Sequence, residues 1–430
     1  MLNDGKQRNL VHQLKDVMRI YINKNSTYYS PILYVLKIIE KNKGFTFMQV
    51  NSAEESELCW DHTNMRTQCI DVAFYALLKD SQSGRKNVLK HTSIFKNTQE
   101  VQSAEGKKDP LATIFYMINC LQELAPSVEE LDTFGRFKYE KSYQNKFDSI
   151  ESNLVQNEID LFCSKHNITA LDKKSSVFVS HDIDTIYGSF FQDGFWALKN
   201  MKISVILNLI FWEMTRRPHW RNMDQIMKIN SEYDIRSTFF WLVNKGEGLQ
   251  GILNADYSIE KEKSLLKSVE DNGFVNGLHK SSSEMSLNDE MSKGVIGSTF
   301  NRYHFLNFLP HRDWEKLSKS NVTFDGSMGY AERYGFRNSY GKAFQPFDIN
   351  ANKPFAFVEA PLNFMDGTFH KYMKVPTSSI GNTIIDFYEK NPVNCDFSLL
   401  WHNTYFTNYK YGGFLKEYKK VLSFFHENKV

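Results

Sequence analysis

Two aspartates lie two residues apart at the end of a short apolar run. The run VFVSHDID carries them as Asp182 and Asp184. Alternate side chains of an extended strand point the same way, so both carboxylates can reach one site. Adjacent carboxylates repel each other unless a cation or a shared proton separates them, which suits one as a metal ligand and the other as a general base. The alternative that stays open is an Asp pair that caps a following turn or helix.

Histidines close two later apolar runs. His279 ends FVNGLH, and His402 ends FSLLWH near the end of the sequence. A single histidine at a strand end is commonly a hydrogen-bonded structural residue. Two histidines in phase with two aspartates are more typical of a metal site. The residues therefore predict a divalent cation, with Zn(II) as the first choice and Co(II) or Ni(II) as alternatives, and one coordination position left for water.

The elements that carry these residues form an alternating series. From residue 176 onward, short apolar runs that end in a polar residue alternate with helical segments, which predicts an α/β fold with a distorted (β/α) barrel of about seven strands. The candidate strands are 177–182 and the runs that begin at 237, 274, 299, 321, 355 and 396. Because the carboxyl ends of barrel strands build the active site, their closing residues should converge. These are Asp182, Asp184, His279, Arg302, His304, Asp325, Glu359 and His402.

A chain of 430 residues exceeds the usual size of one compact core, so we expect two domains. Residues 1–165 are predicted to form a smaller accessory α/β domain that contributes no metal ligand, and residues 172–430 to form the barrel. Within the first domain, residues 80–109 are polar and without apolar period, which indicates an exposed loop. Pro110 then begins an amphipathic helix over 110–123.

Composition excludes several classes of function. A net charge of +2 provides no broad basic field for nucleic acid or acidic membranes, so the bulk charge identifies no partner. The sequence has no G-x-S-x-G, P-loop or zinc-finger spacing. The beginning of the sequence lacks an apolar leader and the five cysteines show no paired spacing, so the expected compartment is the cytoplasm. The most apolar stretch, 203–212, is about half as long as a membrane span and predicts a buried or interfacial helix.

The motifs taken in order resemble a known family. SHDID, STFFWL, GLHKS, NRYHF, TFDGS and LLWHN, spread over 177–404, are similar to the motif series of the polysaccharide deacetylases, the NodB-like carbohydrate esterases of family 4. The first motif resembles a bacterial branch that reads H-D-x-D there. Members of that branch carry an additional N-terminal domain with a D-P-x-A-T-I-F-Y run, which residues 109–116 match.

The resemblance implies a hydrolase that removes N- or O-acetyl groups from a saccharide with a metal-activated water. Asp182 would be the base, Asp184 and His279 metal ligands, and His402 the acid. Arg302 and Asp325 would form a charged pair that positions the base. Candidate substrate contacts are Trp401, Asn403, Arg337 and Asp366. We expect the substrate to be a saccharide, with a lipid-linked or nucleotide-linked precursor favoured by the expected compartment.

One departure from the family pattern affects the metal site. The better-known members bind metal through H-x-x-x-H, and the residue four positions after His279 is Ser283. His304, two residues after Arg302 where those members read R-P-P-Y, is our candidate for the third ligand. Two alternatives remain open: a catalytically inactive pseudoenzyme that binds a glycan on the same barrel, and another metal-dependent amide hydrolase.

Overall fold

The computed structural model describes residues 17–60, 100–101, 108–168, 171–294 and 296–430. The predicted loop at 80–109 lies almost entirely outside these residues. The chain divides into two compact units. The first comprises Met1–Ala125, Leu154–Lys173 and Phe347–Pro354, and the second comprises Pro126–Asn153, Lys174–Pro346 and Phe355–Val430. The chain therefore passes between the units after residues 125, 153, 173, 346 and 354.

The first unit contains a small parallel sheet. Its strands are β1 (Val17–Ile22), β2 (Thr46–Gln49) and β3 (Leu58–Trp60), in the order β2-β1-β3. Its helices are α1 (Tyr29–Lys43), α2 (Pro110–Ile118) and α3 (Leu154–Lys165). The Asp109 side chain accepts the backbone N–H of Ala112 at 3.0 Å and so caps α2, where Pro110 fills the first turn as the sequence predicts. The predicted end at residue 123 and the amphipathic character are wrong, because α2 ends at Ile118 and all residues from 111 to 118 are buried.

A short hairpin from the second half of the sequence completes this unit. Phe347–Asp348 and Lys353–Pro354 pair as antiparallel strands of two residues each. The Phe347 ring packs against Tyr34 and Phe115, with ring centroids 5.1 and 5.2 Å apart. Its backbone N–H also donates to Asn119 at 2.8 Å. The hairpin is thus part of the apolar core of the first unit.

The second unit is built on a curled parallel sheet that forms a half-barrel. Its eight strands are β4 (Ser176–Ile183), β5 (Ser237–Leu242), β6 (Val275–Lys280), β7 (Phe300–Tyr303), β8 (Phe324–Met328), β9 (Val358–Pro361), β10 (Phe364–Met365) and β11 (Asp396–Leu400). They lie in the order β9-β8-β7-β6-β5-β4-β11-β10. All six residues of β5, STFFWL, are buried, as expected for a central parallel strand that is covered on both faces.

The sequence predicts an α/β barrel of about seven strands, and the structure has one strand more. All seven candidate runs form strands of this sheet. The additional strand, β10, has only two residues and pairs with β11 at the edge of the sheet. Two residues are too few to show an apolar period, so the sequence pattern does not reveal it.

The second unit has a one-turn helix at Tyr143–Lys146. Its longer helices are α4 (Ser189–Lys199), α5 (Ile203–Met214), α6 (Met223–Glu232), α7 (Lys263–Asp271), α8 (Leu287–Gly294), α9 (Pro310–Ser318), α10 (Ile380–Lys390) and α11 (Phe414–Glu427). In α7, Leu265, Leu266 and Val269 are buried, and Gly273 follows the helix with a φ of +77°. Helix α9 begins at Pro310 and buries Trp314 and Leu317. The buried residues of α7 and α9 and the glycine after α7 confirm the helical periods and the helix end predicted from the sequence.

The apolar stretch at 203–212 forms most of α5, and only Leu209 of that helix is buried. Of the two predicted alternatives, the buried helix is therefore wrong for this segment, because most of its large apolar side chains are exposed. The interfacial helix stays a prediction. Within the described part of the chain, no helix combines the length and apolar character needed to cross a membrane.

Candidate active site

The parallel strands bring the predicted polar residues to one edge of the sheet. Asp182 lies near the end of β4, with Asp184 just beyond it. His279 lies near the end of β6, His304 directly follows β7, and His402 lies two residues beyond the end of β11. Because neighbouring parallel strands end at the same edge, side chains from different strands converge there.

Strand β4 turns alternate side chains toward opposite faces of the sheet. Arg302 donates from Nη1 to Ser180 Oγ at 2.8 Å and to Asp182 Oδ1 at 2.9 Å. On the other face, His181 contacts the Trp401 carbonyl through Nδ1 at 2.7 Å and Asn230 of α6 through Nε2 at 3.0 Å. Asp182 therefore faces the site, whereas the adjacent histidine has a structural role.

Three side chains form a cluster that could hold a metal ion. One ligand atom from each of Asp184, His279 and His304 lies within 4.8 Å of the others. His279 Nε2 is 3.3 Å and His304 Nε2 is 3.7 Å from Asp184 Oδ1. That oxygen is buried and accepts no hydrogen bond from a described residue. The cluster thus contains an acceptor atom without a donor, beside two ring nitrogens.

A backbone contact orients the His279 ring. Its Nδ1 lies 2.9 Å from the Arg302 carbonyl oxygen, an acceptor that requires a proton on Nδ1. Burial lowers the pKa of His279, but the carboxylates of Asp182 and Asp184 outweigh burial and raise this pKa above its ordinary value. Nε2 faces Asp184 and offers a lone pair to a cation when the ring is neutral. Metal-binding histidines are commonly held by such an outer hydrogen bond. His279 is 1% exposed, so its ring has little freedom to turn.

The charges of the cluster oppose the effect of burial. Burial by itself would raise the pKa of Asp184, but His304, His279 and His402 outweigh it and hold this pKa well below its usual range. Burial lowers the pKa of His304 to about 4. At neutral pH the site therefore has an ionised carboxylate beside the neutral imidazole of His304, and both are the forms that bind a divalent metal.

His402 is held by a buried carboxylate. Its Nδ1 lies 2.7 Å from Asp366 Oδ1, and its backbone N–H donates to Asp366 Oδ2 at 2.6 Å. His402 Nε2 points back to the cluster, 3.7 Å from Asp184 Oδ2. Burial lowers the pKa of His402, but the Asp366 carboxylate outweighs burial and the pKa is raised to about 9. His402 is therefore a proton donor at neutral pH.

All five of these acidic and histidine residues line one cavity. Asp182, Asp184, His279, His304 and His402 contribute to a cavity of about 200 Å³, together with Asn403. Asn403 uses its amide to donate to the carbonyls of Thr185 and Trp220, both at 2.8 Å, so it also fixes the cavity wall. Further lining comes from Gln192, Lys371, Tyr372, Tyr405 and Tyr411.

The structure gives Arg302 a partner that differs from the expected one. Arg302 contacts Asp182, whereas Asp325 accepts the Asn301 side chain at 2.6 Å and the Ser327 backbone N–H at 3.0 Å. The strand register explains this difference, because Asn301 of β7 is the direct partner of Asp325 in β8. Successive side chains alternate between faces, so Arg302 points away from Asp325 and reaches across to β4.

Asp325 instead forms a pair of buried carboxyl groups with Glu359, the neighbouring position on β9. Glu359 accepts the Trp314 indole N–H at 2.9 Å. Burial raises the pKa of Asp325 to about 6 and raises the pKa of Glu359 well above its usual value. The pair therefore holds protons more tightly than exposed carboxyl groups would.

Two of the candidate substrate contacts are buried away from the cavity. Trp401 is 0% exposed and packs against Phe414 and Tyr418 of α11. Arg337 is buried and donates to the Gly329 and Phe308 carbonyls. Neither belongs to the cavity lining. Asp366 is also buried, and its contact is with His402.

Ser283, at the expected position of a second histidine, belongs to a separate polar network. Its hydroxyl lies 2.7 Å from Glu290 Oε1, an oxygen that also accepts Lys280 Nζ at 2.7 Å and the Ser281 hydroxyl at 2.6 Å. Glu290 is fully buried, so these donors compensate its charge. The network accounts for the buried lysine next to His279.

Sequence reasoning missed Arg136, which lines the cavity and belongs to the second unit although it lies within 1–165. Its guanidinium donates to the Phe305 carbonyl at 2.9 Å and to the Tyr372 hydroxyl at 3.2 Å, and Asp132 holds it in an ion pair. The run FGRFKY around it combines a cation with aromatic residues, but no period connects it to the distant strands.

Comparisons with known proteins give few matches. Residues 18–168 match a family model described as a family of unknown function, DUF7033. No curated protein matches the chain. Among solved structures, the chain is similar to the crystal structure of a mutant of a CE4 family pseudoenzyme with restored enzymatic activity. That similarity has a TM-score of 0.25 and 11% identity over 60% of this chain and 69% of the other.

Proposed function

We propose that this protein is a metal-dependent hydrolase that removes acetyl groups from a saccharide. The observation that carries the proposal is the convergence of Asp184, His279 and His304 on one point, with Asp182 and His402 in contact with the same cluster. The ordered motifs that resemble polysaccharide deacetylases support the choice of reaction and of substrate class.

The three clustered side chains fit a divalent cation. Tetrahedral bonds of about 2.0 to 2.1 Å place neighbouring ligand atoms about 3.3 Å apart. The distances of 3.3 and 3.7 Å from Asp184 Oδ1 to the two Nε2 atoms are close to this spacing. Asp184 Oδ1 is buried and accepts no hydrogen bond from a described residue, so it has a lone pair available for a cation. Asp184, His279 and His304 would hold the cation, and Zn(II), Co(II) and Ni(II) all accept this ligand set.

A divalent cation in this position supplies two effects, since it polarises the acetyl carbonyl and lowers the pKa of a bound water. The rest of the chemistry belongs to the chain. Asp182 is the proton acceptor in the proposal, because its carboxylate is buried and its second oxygen lies 3.5 Å from His279 Nε2, next to the cluster. Arg302 donates to its first oxygen at 2.9 Å, which fixes the carboxylate in place.

His402 is the proton donor in the proposal. An amine anion is a very poor leaving group, so cleavage of an acetamide requires a proton on the nitrogen as the C–N bond breaks. The water oxygen forms the new bond to the carbonyl carbon, Asp182 takes the proton of that water, and His402 gives a proton to the nitrogen. The products are acetate and a free amino sugar. Asp366 orients the imidazole and maintains its charged form.

The cavity wall suits a sugar ring. Tyr372 and Tyr411 are partly exposed aromatic residues of its lining, and Gln192 contributes an exposed amide. Aromatic rings stack on the apolar faces of sugars, while amides hydrogen-bond to hydroxyls. This mixture favours a saccharide over a purely apolar acyl ester.

The experiment combines metal content with acetate release. The purified full chain is incubated separately with Zn(II), Co(II) and Ni(II), washed and measured by elemental analysis, then incubated with N-acetylated and O-acetylated saccharides. We expect about one equivalent of metal and metal-dependent release of acetate. The Asp182→Asn variant is the matched control, because it keeps the three ligands and lacks the base. If the parent bound none of the three metals, the metallohydrolase proposal would fail. Bound metal without acetate release would instead favour a glycan-binding pseudoenzyme or a different amide substrate.

A further inference from the structure

Helix α4 presents an apolar stripe outward. Phe191, Phe195 and Leu198 recur at positions i, i+4 and i+7 and are 77%, 72% and 67% exposed. The buried residues of the opposite face are Ser189, Asp193 and Ala197. A surface helix ordinarily turns its apolar stripe inward and its polar residues outward. The arrangement of α4 is reversed.

Helix α5 also exposes apolar side chains, although its buried residue, Leu209, is apolar as well. Its exposed apolar residues lie at i, i+4, i+7, i+8 and i+11, and they are Ile203, Leu207, Ile210, Phe211 and Met214. Met201, in the connection between the two helices, is 85% exposed. Ten of the 21 large apolar side chains that are exposed in the described residues lie between positions 187 and 214. Such a concentration is uncommon on a surface that faces only water.

The inner faces of both helices are fixed to the rest of the second unit. Asp193 accepts the Trp220 indole N–H at 3.1 Å, the Tyr409 hydroxyl at 2.6 Å and Lys410 Nζ at 2.8 Å. Trp212 of α5 stacks on His219, with ring centroids 4.1 Å apart. The outward position of the stripes is therefore determined by specific contacts of their inner faces.

The charges around the stripes are mostly positive. Lys199, Lys202, Arg216 and Arg217 are exposed and form no salt bridge with another described residue. Glu213 is the one exposed acidic residue between positions 187 and 217. An apolar helical face bordered by cations matches the lipid surface of an anionic bilayer, where acyl chains lie beneath negatively charged head groups.

We propose that the helical pair α4–α5, residues 189–214, binds the surface of an anionic lipid bilayer with its two apolar stripes in the interfacial layer. The twelve residues of α5 span about 18 Å, which is too short to cross a hydrocarbon core of about 30 Å. The helices would therefore lie in the interface. A second protein copy is a less suitable occupant, because two identical cationic borders would repel each other.

This surface is continuous with the wall of the catalytic cavity. Gln192 of α4 lines the cavity, and Trp220, which donates to Asp193 of the same helix, lines it as well. Binding through α4 and α5 would therefore hold the cavity near the lipid surface. The proposal does not depend on the metal or on hydrolysis, so it can be tested with protein that has no metal bound.

The test measures sedimentation of the full chain with vesicles. One vesicle type contains phosphatidylcholine alone, and the other contains about 30% phosphatidylglycerol. We expect binding to the anionic vesicles that weakens with added salt. The double variants Phe191→Ser/Phe195→Ser and Ile203→Ser/Leu207→Ser should each reduce the partition coefficient at least about tenfold, because two apolar side chains no longer insert. Arg216→Gln/Arg217→Gln should reduce binding to anionic vesicles only.

The matched control is Leu249→Ser/Leu253→Ser, which changes two apolar side chains of the same unit that are 47% and 68% exposed and lie outside the helical pair. We expect this variant to bind vesicles like the parent. Circular dichroism verifies that each variant is folded. The proposal is overturned if the parent fails to sediment with anionic vesicles. It is also overturned if light scattering shows a parent dimer that the Phe191→Ser/Phe195→Ser variant lacks, while vesicle binding is the same for both.

Discussion

Asp366 holds His402 through both of its carboxylate oxygens, one on the imidazole Nδ1 at 2.7 Å and the other on the backbone N–H at 2.6 Å. This carboxylate is fully buried, and its contacts fix both the position of the ring and the nitrogen that faces the cavity. In the proposed reaction Asp366 is therefore a positioning residue for His402, whereas the family resemblance implied a substrate contact.

The first prediction concerns the charge of His402. Asp366→Asn should lower the pKa of His402 from about 9 toward its ordinary value, because the carboxylate that stabilises the imidazolium is replaced by a neutral amide. The protonated donor would then be lost at lower pH, so the alkaline limb of the pH–rate profile should move to lower pH. An NMR titration of the metal-free protein measures the pKa directly. An unchanged His402 titration would contradict the role assigned to Asp366.

The second prediction separates proton transfer from metal binding. Asp182→Asn should keep the metal and reduce the rate by about 10²-fold or more, because the proton acceptor is lost while the ligands remain. Arg302 is fully buried and loses its anionic partner in this variant, so we also expect a lower free energy of unfolding, by about 1 to 3 kcal/mol. Denaturant titration and elemental analysis measure the two effects separately. Loss of the metal in folded Asp182→Asn would make this residue a ligand.

The third prediction compares His304 with Ser283. His304→Ala should release the metal, because the variant retains two of the three clustered ligands. Ser283→Ala should leave the metal content unchanged and lower the free energy of unfolding by about 1 kcal/mol, because its hydroxyl contacts Glu290. Elemental analysis of the two variants side by side measures the difference. Equal metal content in both would remove His304 from the ligand set.

The fourth prediction concerns the stability of the buried carboxyl pair at different pH values. The pKa values of Asp325 and Glu359 are raised, so the folded protein binds these protons more tightly than the unfolded chain does. The stability that they contribute is complete below the ordinary carboxyl pKa of about 4 and is lost as pH rises through the folded-state values, about 6 for Asp325. Glu359→Gln removes one titrating group and leaves an amide that can donate to Asp325.

Denaturant titrations at several pH values therefore provide the measurement. Glu359→Gln should lose less stability than the parent between about pH 5 and pH 8, and at the upper end it should be more stable by about 1 to 2 kcal/mol. The exposed Glu389→Gln variant is the matched control and should follow the parent curve. Parallel curves for Glu359→Gln and the parent would show that the pair does not titrate in this range.

Local patterns predicted much of the second unit. The seven candidate runs are strands. The alternation of side chains along β4 also predicted the face of the sheet on which Asp182 lies. Both results follow from short-range geometry that the order of residues determines. His279 and His304 converge with Asp184 because their strands are parallel and follow one another in the sheet. This convergence could therefore also be predicted from the sequence.

Features that depend on strand register or on distant segments could not be predicted. In the register between β7 and β8, Asp325 lies opposite Asn301. Arg302 is therefore not opposite Asp325 and pairs with Asp182 instead. Arg136 reaches the cavity from a segment that lies 46 residues before Asp182 in the sequence. No period or spacing connects such positions, because their proximity results from packing of the whole unit.

The hairpin at Phe347–Pro354 affects how the protein can be synthesised. Phe347 fills a place beside Tyr34 and Phe115 in the core of the first unit, yet a ribosome would add it only after more than two hundred further residues. The first unit must therefore wait, with part of its apolar core uncovered, until most of the second has been translated. We infer that a gene fragment encoding only residues 1–173 would yield a first unit with an incomplete core, because it lacks Phe347.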